Sequence, residues 1–573
     1  MSKFLPTTPQ ELRELGWKQC DVILVSGDSY IDSPFIGIAV VGRILESQGY
    51  KVGIIAQPDL KSDDIKRLGE PTLYWGVSGG SIDSMVANYT ATKKFRNSDD
   101  YTPGGKNTKR PDRAVLAYCN LIRQHFKNTA PIVLGGIEAS LRRVSHYDYW
   151  SNKMRKPILF DSKADILVYG MGEKAVTDLT KALKDKEDYK NVRGICYISK
   201  EPKDEFIQLP SHAEILQNKE LYIELFDSFY DNNDPISANG LSQSVDSRFL
   251  IQNPPSDYLN EDEMDEISEL PYNRELHPFY KKDGDVKCLE TIKFSIQTHH
   301  GCWGECNFCA IGVHQGRTIR TRSEKSILKE VKEFTTYKDF KGIVSDVGGP
   351  TANMYGYECD KKLSKGTCDY QRCVDSNRLC KVMRVDHSRN INLLKQVRAV
   401  NGVKKAFVAS GVRYDLITAD KKHGYSYLKE LVAHHISGQM KVAPEHTQPH
   451  VLELMGKPGK QPLIDFKNMY DKLNKEEGKK QFLTYYLIAA HPGCSEKDMH
   501  ELKRFTTQEL KMNPEQAQVF TPTPSTYSAV MYYTELDPKT RKKIFVEKDT
   551  FKKERQKAIV IGKERIRHNN FSS

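Results

Sequence analysis

HHGCWGECNFC, residues His299 to Cys309, sets three cysteines in a CxxxCxxC spacing. Thiolates are soft ligands suited to iron-sulfur clusters and zinc. Three of them on one short loop hold three corners of a four-iron cube and leave the fourth open, as a centre that must bind and cleave a substrate requires. A zinc ion is more often completed by a fourth Cys or His, and His299, His300 and His314 are near enough in sequence to keep that alternative open. The loop follows a strand-like run, Thr291 to Gln297, and four more such runs come after it: Lys341 to Asp346, Lys404 to Ala409, Gln439 to Val442 and Gln481 to Ile488. Helical segments intervene. Ser323 is placed to cap one of them, with Glu324 in its first turn and Ile327, Leu328, Val331 and Phe334 on one apolar stripe. Repeated βα units predict a full or partial barrel over residues 286–530, with its chemistry at the carboxyl ends of the strands.

Upstream, Asp21 to Ser26, Lys51 to Gln57 and Thr72 to Ser78 are strand-like, with a helix-length segment from Ile36 to Gln48 between the first two. The rhythm continues through a helix over Asp112 to Phe126, runs at Pro131 to Gly135 and Ala164 to Tyr169, and a helix from Glu173. These runs are apolar throughout, as parallel strands buried on both faces are. Residues 1–200 therefore read as a doubly wound α/β domain. Gly79-Gly80 and Gly135-Gly136 stand just past strand ends, where such sheets bind ligands, but neither makes GxGxxG and tight turns are the favoured account of them. Residues 201–285, with Pro254-Pro255 and an acidic cluster from Glu261 to Glu269, read as a connector.

The chain has 573 residues, a length that suggests three or four domains. Its hydrophobic set is 38 % and its charged set 28 %. The longest apolar run, Phe35 to Gly42, stops at Arg43, far short of the roughly 18 residues of a membrane span. The first twenty residues do not resemble an export signal, so the expected location is the reducing cytoplasm, with no membrane partner and the cysteines as thiols. Lys and Arg total 86 against 75 Asp and Glu, and the resulting +11 does not by itself indicate nucleic acid. Within the C-terminal 531–573, predicted as a basic tail, Lys539 to Arg567 is either a solvated face or a contact for RNA or another polyanion. Five cysteines stand alone, and seven fall between Cys302 and Cys380. Cys359, Cys368, Cys373 and Cys380, in an insertion over 355–382, could close an auxiliary cluster, hold a structural zinc or remain free.

CxxxCxxC with an aromatic before its last cysteine, after the first strand of a βα barrel, resembles the radical SAM superfamily. The resemblance implies that Cys302, Cys306 and Cys309 hold a 4Fe-4S cluster and that S-adenosylmethionine chelates its fourth iron. An electron from an external reductant of the flavodoxin or ferredoxin type then gives methionine and a 5′-deoxyadenosyl radical. Phe308 would pack beside cluster and adenine. Asp346-Val347-Gly348-Gly349-Pro350 takes the place of the superfamily's Gly-Gly-Glu segment, so Gly348 and Gly349 would meet S-adenosylmethionine through their backbone, with Pro350 replacing the usual Glu; a plain turn is the alternative. Ser410, Arg413 and Tyr414 end a strand where a ribose or carboxylate contact is expected. Glu445 and His446 either face the radical site or pair at a strand end, and His491-Pro492-Gly493 suits a turn.

A narrower similarity, to the YgiQ-type radical SAM proteins, rests on GGIEASLRR from Gly135, SHYDYW from Ser145, GGPTANMY from Gly348, SGVRYD from Ser410, APEH from Ala443 and FTPTPST from Phe520. It implies an N-terminal domain similar to cobalamin-binding domains. The DxHxxG loop that supplies a lower axial histidine is missing, because the first strand runs into Gly27-Asp28-Ser29-Tyr30-Ile31. A histidine-ligated cobalamin is therefore not expected, and binding without that ligand stays open. The expectation is an enzyme of radical SAM type with an unknown substrate. The alternatives are a methyl or methylthio transferase acting on RNA or protein, and a non-enzymatic iron-sulfur or zinc protein serving as electron carrier or interaction module.

Overall fold

The apolar runs before the cysteine loop fold into one nine-stranded sheet in the computed structural model, which describes residues 4–368, 372–374 and 379–562. Its strands are β1 (Val22–Ser26), β2 (Val52–Ala56), β3 (Tyr74–Ser78), β4 (Ile132–Gly135), β5 (Ile166–Val168), β6 (Ile195–Ser199), β7 (Ile207–Leu209), β8 (Leu241–Val245) and β9 (Arg248–Gln252). Their order is 7-8-9-6-5-4-3-1-2. β2, β1, β3, β4 and β5 are parallel, with Val22 opposite both Val52 and Tyr74. The order reverses between β1 and β3, the switch point at which open α/β sheets bind ligands. Every residue of β1 and β2 is buried, because helices cover both faces. One face packs Ile23, Val25, Trp75, Val77 and Leu134; the other packs Leu24, Ile54, Tyr74 and Val133.

The sheet does not stop at residue 200. β7, β8 and β9 form its far edge, and a helix over Lys219–Asp231 buries Tyr222, Leu225, Phe226 and Phe229 beneath it, so the expected connector over 201–285 is largely part of the domain. The strand signal there is broken by polar residues that are buried and bonded. The Gln243 side-chain oxygen accepts from the Ser145 amide at 3.0 Å, and that of Gln252 accepts from Arg143 Nε at 3.0 Å. The acidic cluster becomes a helix, α1 (Glu261–Ser268), capped by Asn260 and tied by Glu263 to Lys174 at 2.9 Å.

Six parallel strands follow: β10 (Ser295–Gln297), β11 (Ile343–Val344, resuming at Asp346–Gly348), β12 (Lys405–Ala406), β13 (Gln439–Glu445), β14 (Phe482–Ala489) and β15 (Gln518–Val519). β12 reaches β13 through the Val408 amide on His435 O at 3.0 Å and a Val412–Val442 bridge. Among the described residues β15 does not pair with β10, so the barrel is partial. Helix α2 (Glu324–Phe334) is capped by Ser323, and Ile327, Val331 and Phe334 are fully buried against the strands. The expected basic tail is also partly fold: α3 (Thr550–Ile561) buries Ile559 and Val560 in the barrel core, and Lys553 is 1 % exposed. Arg565 and Arg567 lie outside the described residues. No described helix is long and apolar enough to cross a membrane.

Candidate functional site

The cysteine loop begins where β10 ends. Gln297 stands opposite Gly348, so the loop and the Gly348-Gly349-Pro350 segment leave neighbouring strand ends together. His299–His300 pairs with Arg320–Thr321 and closes the loop's base. Gly301 turns there with φ +81°, and a Cβ on it would fall 2.2 Å from Thr318 O, so no other residue fits. Trp303 is fully buried and stacks on Tyr357 at 5.8 Å. Asn307, between the second and third cysteines, is held from three sides. Its amide donates to Met455 O at 2.9 Å, its side-chain nitrogen donates to Leu454 O at 2.8 Å, and its carbonyl accepts from the Ser528 amide at 2.9 Å. Glu305 accepts from Lys362 and Tyr230, each at 3.4 Å. Cys309 donates its amide to Cys306 O at 2.9 Å, which turns the two side by side.

Gly304 lies among the thiols. A Cβ there would sit 3.3 Å from Cys302 Sγ, 3.7 Å from Cys306 Sγ and 2.9 Å from Arg413 Nη1. Its amide donates to Cys302 Sγ at 3.3 Å, and Thr351 Oγ1 is 3.4 Å from the same sulfur. Burial pushes the Cys302 thiol up and the Cys309 thiol up to about 12, so only a metal's charge would make these ligating thiolates at neutral pH. No three His, Cys, Asp or Glu side chains among the described residues converge on a single metal ion. A cube of four irons takes each sulfur at a separate corner, and three soft donors with a side-chain-free backbone between them fit that group.

Around the loop, the other residues singled out from sequence are brought close, with some changes of partner. Gly349 leaves room that the His299 ring fills, since a Cβ there would come within 2.5 Å of it. Gly348 O accepts from the Thr298 amide at 2.8 Å and from its hydroxyl at 3.0 Å. The Ser410 hydroxyl is engaged by Asp346, which also accepts the Ser410 and Ala409 amides at 3.1 and 2.8 Å. Arg413 is gripped by Asp415, through Nε to Oδ1 at 2.8 Å and Nη2 to Oδ2 at 2.7 Å, while Nη1 stands 4.0 Å from Cys306 Sγ. Burial pushes Asp415 up, but Arg413 more than offsets it and holds the carboxyl below its ordinary range. Glu445 has φ +66° and a buried carboxyl raised by desolvation, with Lys457 at 3.9 Å. His446 Nε2 is 3.5 Å from Cys494 Sγ. His491 is more than a turn residue: Nε2 meets Ser528 Oγ at 2.7 Å, and the ring lies edge-on to Phe308 at 6.2 Å and Phe520 at 5.0 Å.

The second cysteine group adjoins the first. Cys359, Cys373 and Cys380 share a small core with Cys302, Trp303 and Tyr357, and the Cys380 amide donates to Cys373 O at 2.8 Å. Cys368 is half-buried. Asp415, Asn353 and Asn307 were not singled out from sequence. Asp415 was the most accessible of them, standing two residues from Arg413 in SGVRYD.

On the other side of the loop lies a cavity of about 430 Å³. Ser26 and Asp28 at the end of β1 and Ser78 and Gly80 at the end of β3 line it, which places it at the switch point, and His300 and His314 line it from the barrel side. Four of its lining residues have a buried side-chain atom with no hydrogen-bond partner among the described residues: Ser81 Oγ, Glu173 Oε2, His314 Nδ1 and Arg322 Nε. Burial raises the Glu173 carboxyl above its ordinary range and lowers His314 to about 4, so the imidazole is a neutral hydrogen-bonding group at pH 7.

The family described as Radical SAM N-terminal matches residues 4–295. A UPF0313 protein of Fusobacterium nucleatum is 59 % identical over 99 % of this chain and 100 % of its own, and one of Thermotoga maritima is 47 % identical over 98 % and 99 %. Among solved structures, the radical S-adenosylmethionine methyltransferase TsrM of Kitasatospora setae, with cobalamin and a 4Fe-4S cluster bound, is similar with a TM-score of 0.51. It is 13 % identical, with 89 % of this chain and 77 % of that one covered, and so supports the two-domain fold alone. With its cysteine loop seated at the mouth of a partial βα barrel, the chain belongs to the UPF0313 family of radical SAM proteins.

Proposed function

We propose that this chain is a radical SAM enzyme whose Cys302, Cys306 and Cys309 hold a 4Fe-4S cluster, with S-adenosylmethionine bound beside it and a substrate admitted through the open side of the barrel. One observation carries this: the Cys302 and Cys306 thiols flank the bare Gly304 backbone, with Cys309 turned back onto Cys306 and the Gly348-Gly349 strand end beside the start of the loop. When bound, the cluster supplies one electron to cleave S-adenosylmethionine into methionine and a 5′-deoxyadenosyl radical. The chain's own residues position and enclose. Thr298 fixes Gly348 O, and His299 sets the floor under Gly349. Pro350 offers no N–H and no carboxylate, so any ligand contact there is to backbone. Phe308 packs against both the barrel core and the N-terminal core, and Trp303 anchors the loop in the small core it shares with Tyr357 and Cys302. Anaerobically reconstituted protein should form deoxyadenosine with dithionite and S-adenosylmethionine, and Cys306→Ala should abolish it. Turnover unchanged by that substitution would refute the proposal. About eight irons per chain would mean that Cys359, Cys368, Cys373 and Cys380 hold a second cluster, and a firm four would remove that part.

A second reading, methyl transfer with a corrinoid in the N-terminal domain, is favoured by the cavity at the β1/β3 switch point. Its volume of about 430 Å³ suits the nucleotide tail of such a cofactor rather than the whole, and no histidine follows β1 to ligate the metal. Hydroxocobalamin retained through desalting, with cobinamide lost, would support it. Loss of both would exclude it. An RNA acceptor would show itself as tRNA affinity that falls steeply with salt.

A further inference from the structure

We infer that Arg413 sets the reduction potential of the cluster held by the cysteine loop, with Asp415 as its opposing charge; the inference rests on the cluster assignment proposed above. The guanidinium is buried, and the carboxylate of Asp415 takes its Nε and Nη2. Nη1 is left on the other side, 4.0 Å from Cys306 Sγ. The residue is fixed at its backbone as well: its amide donates to Asn353 Oδ1 at 2.7 Å, and its carbonyl accepts from Asn353 Nδ2 at 3.0 Å. Gly304 makes the approach feasible, since any side chain there would displace Nη1. From sequence, Arg413 is one of three residues, with Ser410 and Tyr414, at a strand end where a ribose or carboxylate contact is expected. The fork to Asp415 leaves it one outward nitrogen, and that nitrogen points at a cluster ligand.

Reduction adds a negative charge to the cluster, and charge and hydrogen bonds at its sulfurs shift its potential. In a buried site such a charge acts through an effective dielectric well below that of water. The pair is therefore a fixed dipole with its positive end at the sulfur. Removing the arginine should make the cluster harder to reduce, and removing the aspartate should make it easier.

The test is a potentiometric titration of the full-length, anaerobically reconstituted protein without S-adenosylmethionine, followed by electron paramagnetic resonance. Iron per chain and circular dichroism are controls. At a fixed potential, Arg413→Gln is expected to lower the reduced-to-oxidised ratio about tenfold, equivalent to about 59 mV for one electron. Asp415→Asn is expected to raise that ratio, and Arg413→Lys to fall between the wild type and Arg413→Gln. Opposite signs from two neighbours are not what general loosening of the site produces. Because Arg413→Gln leaves a buried carboxylate unpaired, the double variant Arg413→Gln/Asp415→Asn is the fallback if the single one does not fold. It too should lie below the wild type, the nearer charge dominating. Unshifted potentials, shifts of one sign in both single variants, or folded variants that have lost their iron would overturn the inference. A wild type that takes up no iron would instead refute the cluster itself.

Discussion

At the scale of single residues, the site depends as much on what is missing as on what is present. Gly304 is not in the left-handed region, so alanine is allowed there by its backbone, yet a methyl would press on Arg413 and Cys302 at 2.9 and 3.3 Å. Gly304→Ala should therefore keep the fold and melting behaviour while binding fewer irons per chain, measured by iron assay beside circular dichroism; full iron content would show that the gap has no role. A second residue, Lys553, carries a prediction about pH. Its ammonium donates to Tyr532 OH at 2.8 Å and to Tyr149 OH at 3.3 Å, with Lys93, Lys548, Glu547 and Asp549 nearby. Burial, helped by Lys93, brings it down to about 8 from an ordinary 10.5. Between those two values the unfolded chain holds a proton that the folded chain has released, so this group's contribution to stability rises with pH across that window. The stability of the wild type relative to Lys553→Met should increase from pH 8 to 10.5 in parallel chemical denaturation series, and a flat difference would contradict it.

Elements differ in how far their residues announced them. α2 was legible because cap, acidic first turn and apolar stripe all occur at helical spacing, and each is found where expected. Ser323 does more than cap: its amide donates to Asp265 Oδ1 at 3.0 Å and its hydroxyl to the same carboxylate, stitching α1 to α2. Ser323→Ala should cost about 1 kcal/mol from the cap alone, with a further loss if Asp265 is left unpaired. Asp265→Ala in the Ser323→Ala background should then cost less than it does alone, because only the bond from the residue 323 amide is left to lose, a double-mutant cycle that additive effects would contradict. The parallel strands were equally plain, being apolar on both faces. β7 to β9 were not, because Gln243 and Gln252 lie inside them and are made tolerable by partners about a hundred residues away, Ser145 and Arg143. The cysteine loop was readable from spacing alone, whereas the Arg413 contact was not, since it joins residues 107 apart in the chain. α3 was hidden by its basic composition, for Lys552, Lys553, Arg555 and Lys557 come before the short apolar run, Ala558 to Val560, that docks it.

For the whole molecule, the N-terminal sheet and the barrel are not separable parts. Val313, Phe520, Val530 and Tyr532 come from the barrel side of the chain, and all are buried in the core beneath the sheet with Leu134, Leu141 and Tyr147. Ser525 Oγ donates to Leu141 O at 2.8 Å across 384 residues, and Tyr533 meets Tyr147 with ring centroids 5.0 Å apart. Three of the motifs noted in sequence, GGIEASLRR, SHYDYW and FTPTPST, are thus pieces of one seam, a fact that no local pattern encodes. Each large apolar side chain buried there contributes about 1.5–3 kcal/mol. Four of them approach the 5–15 kcal/mol that holds an ordinary domain together. The seam also anchors the cysteine loop, since Phe308 packs against both cores at once. A fragment covering residues 1–285 retains every strand of the large sheet but exposes the surfaces around Leu141, Tyr147 and Phe226 that Ser525, Tyr533 and Tyr527 cover in the intact chain. It should aggregate on size-exclusion chromatography or melt without a sharp transition, while the full chain melts with the two halves together. A monomeric fragment that unfolds as sharply, and at the same temperature, as the full protein would show that the sheet is stable without its seam.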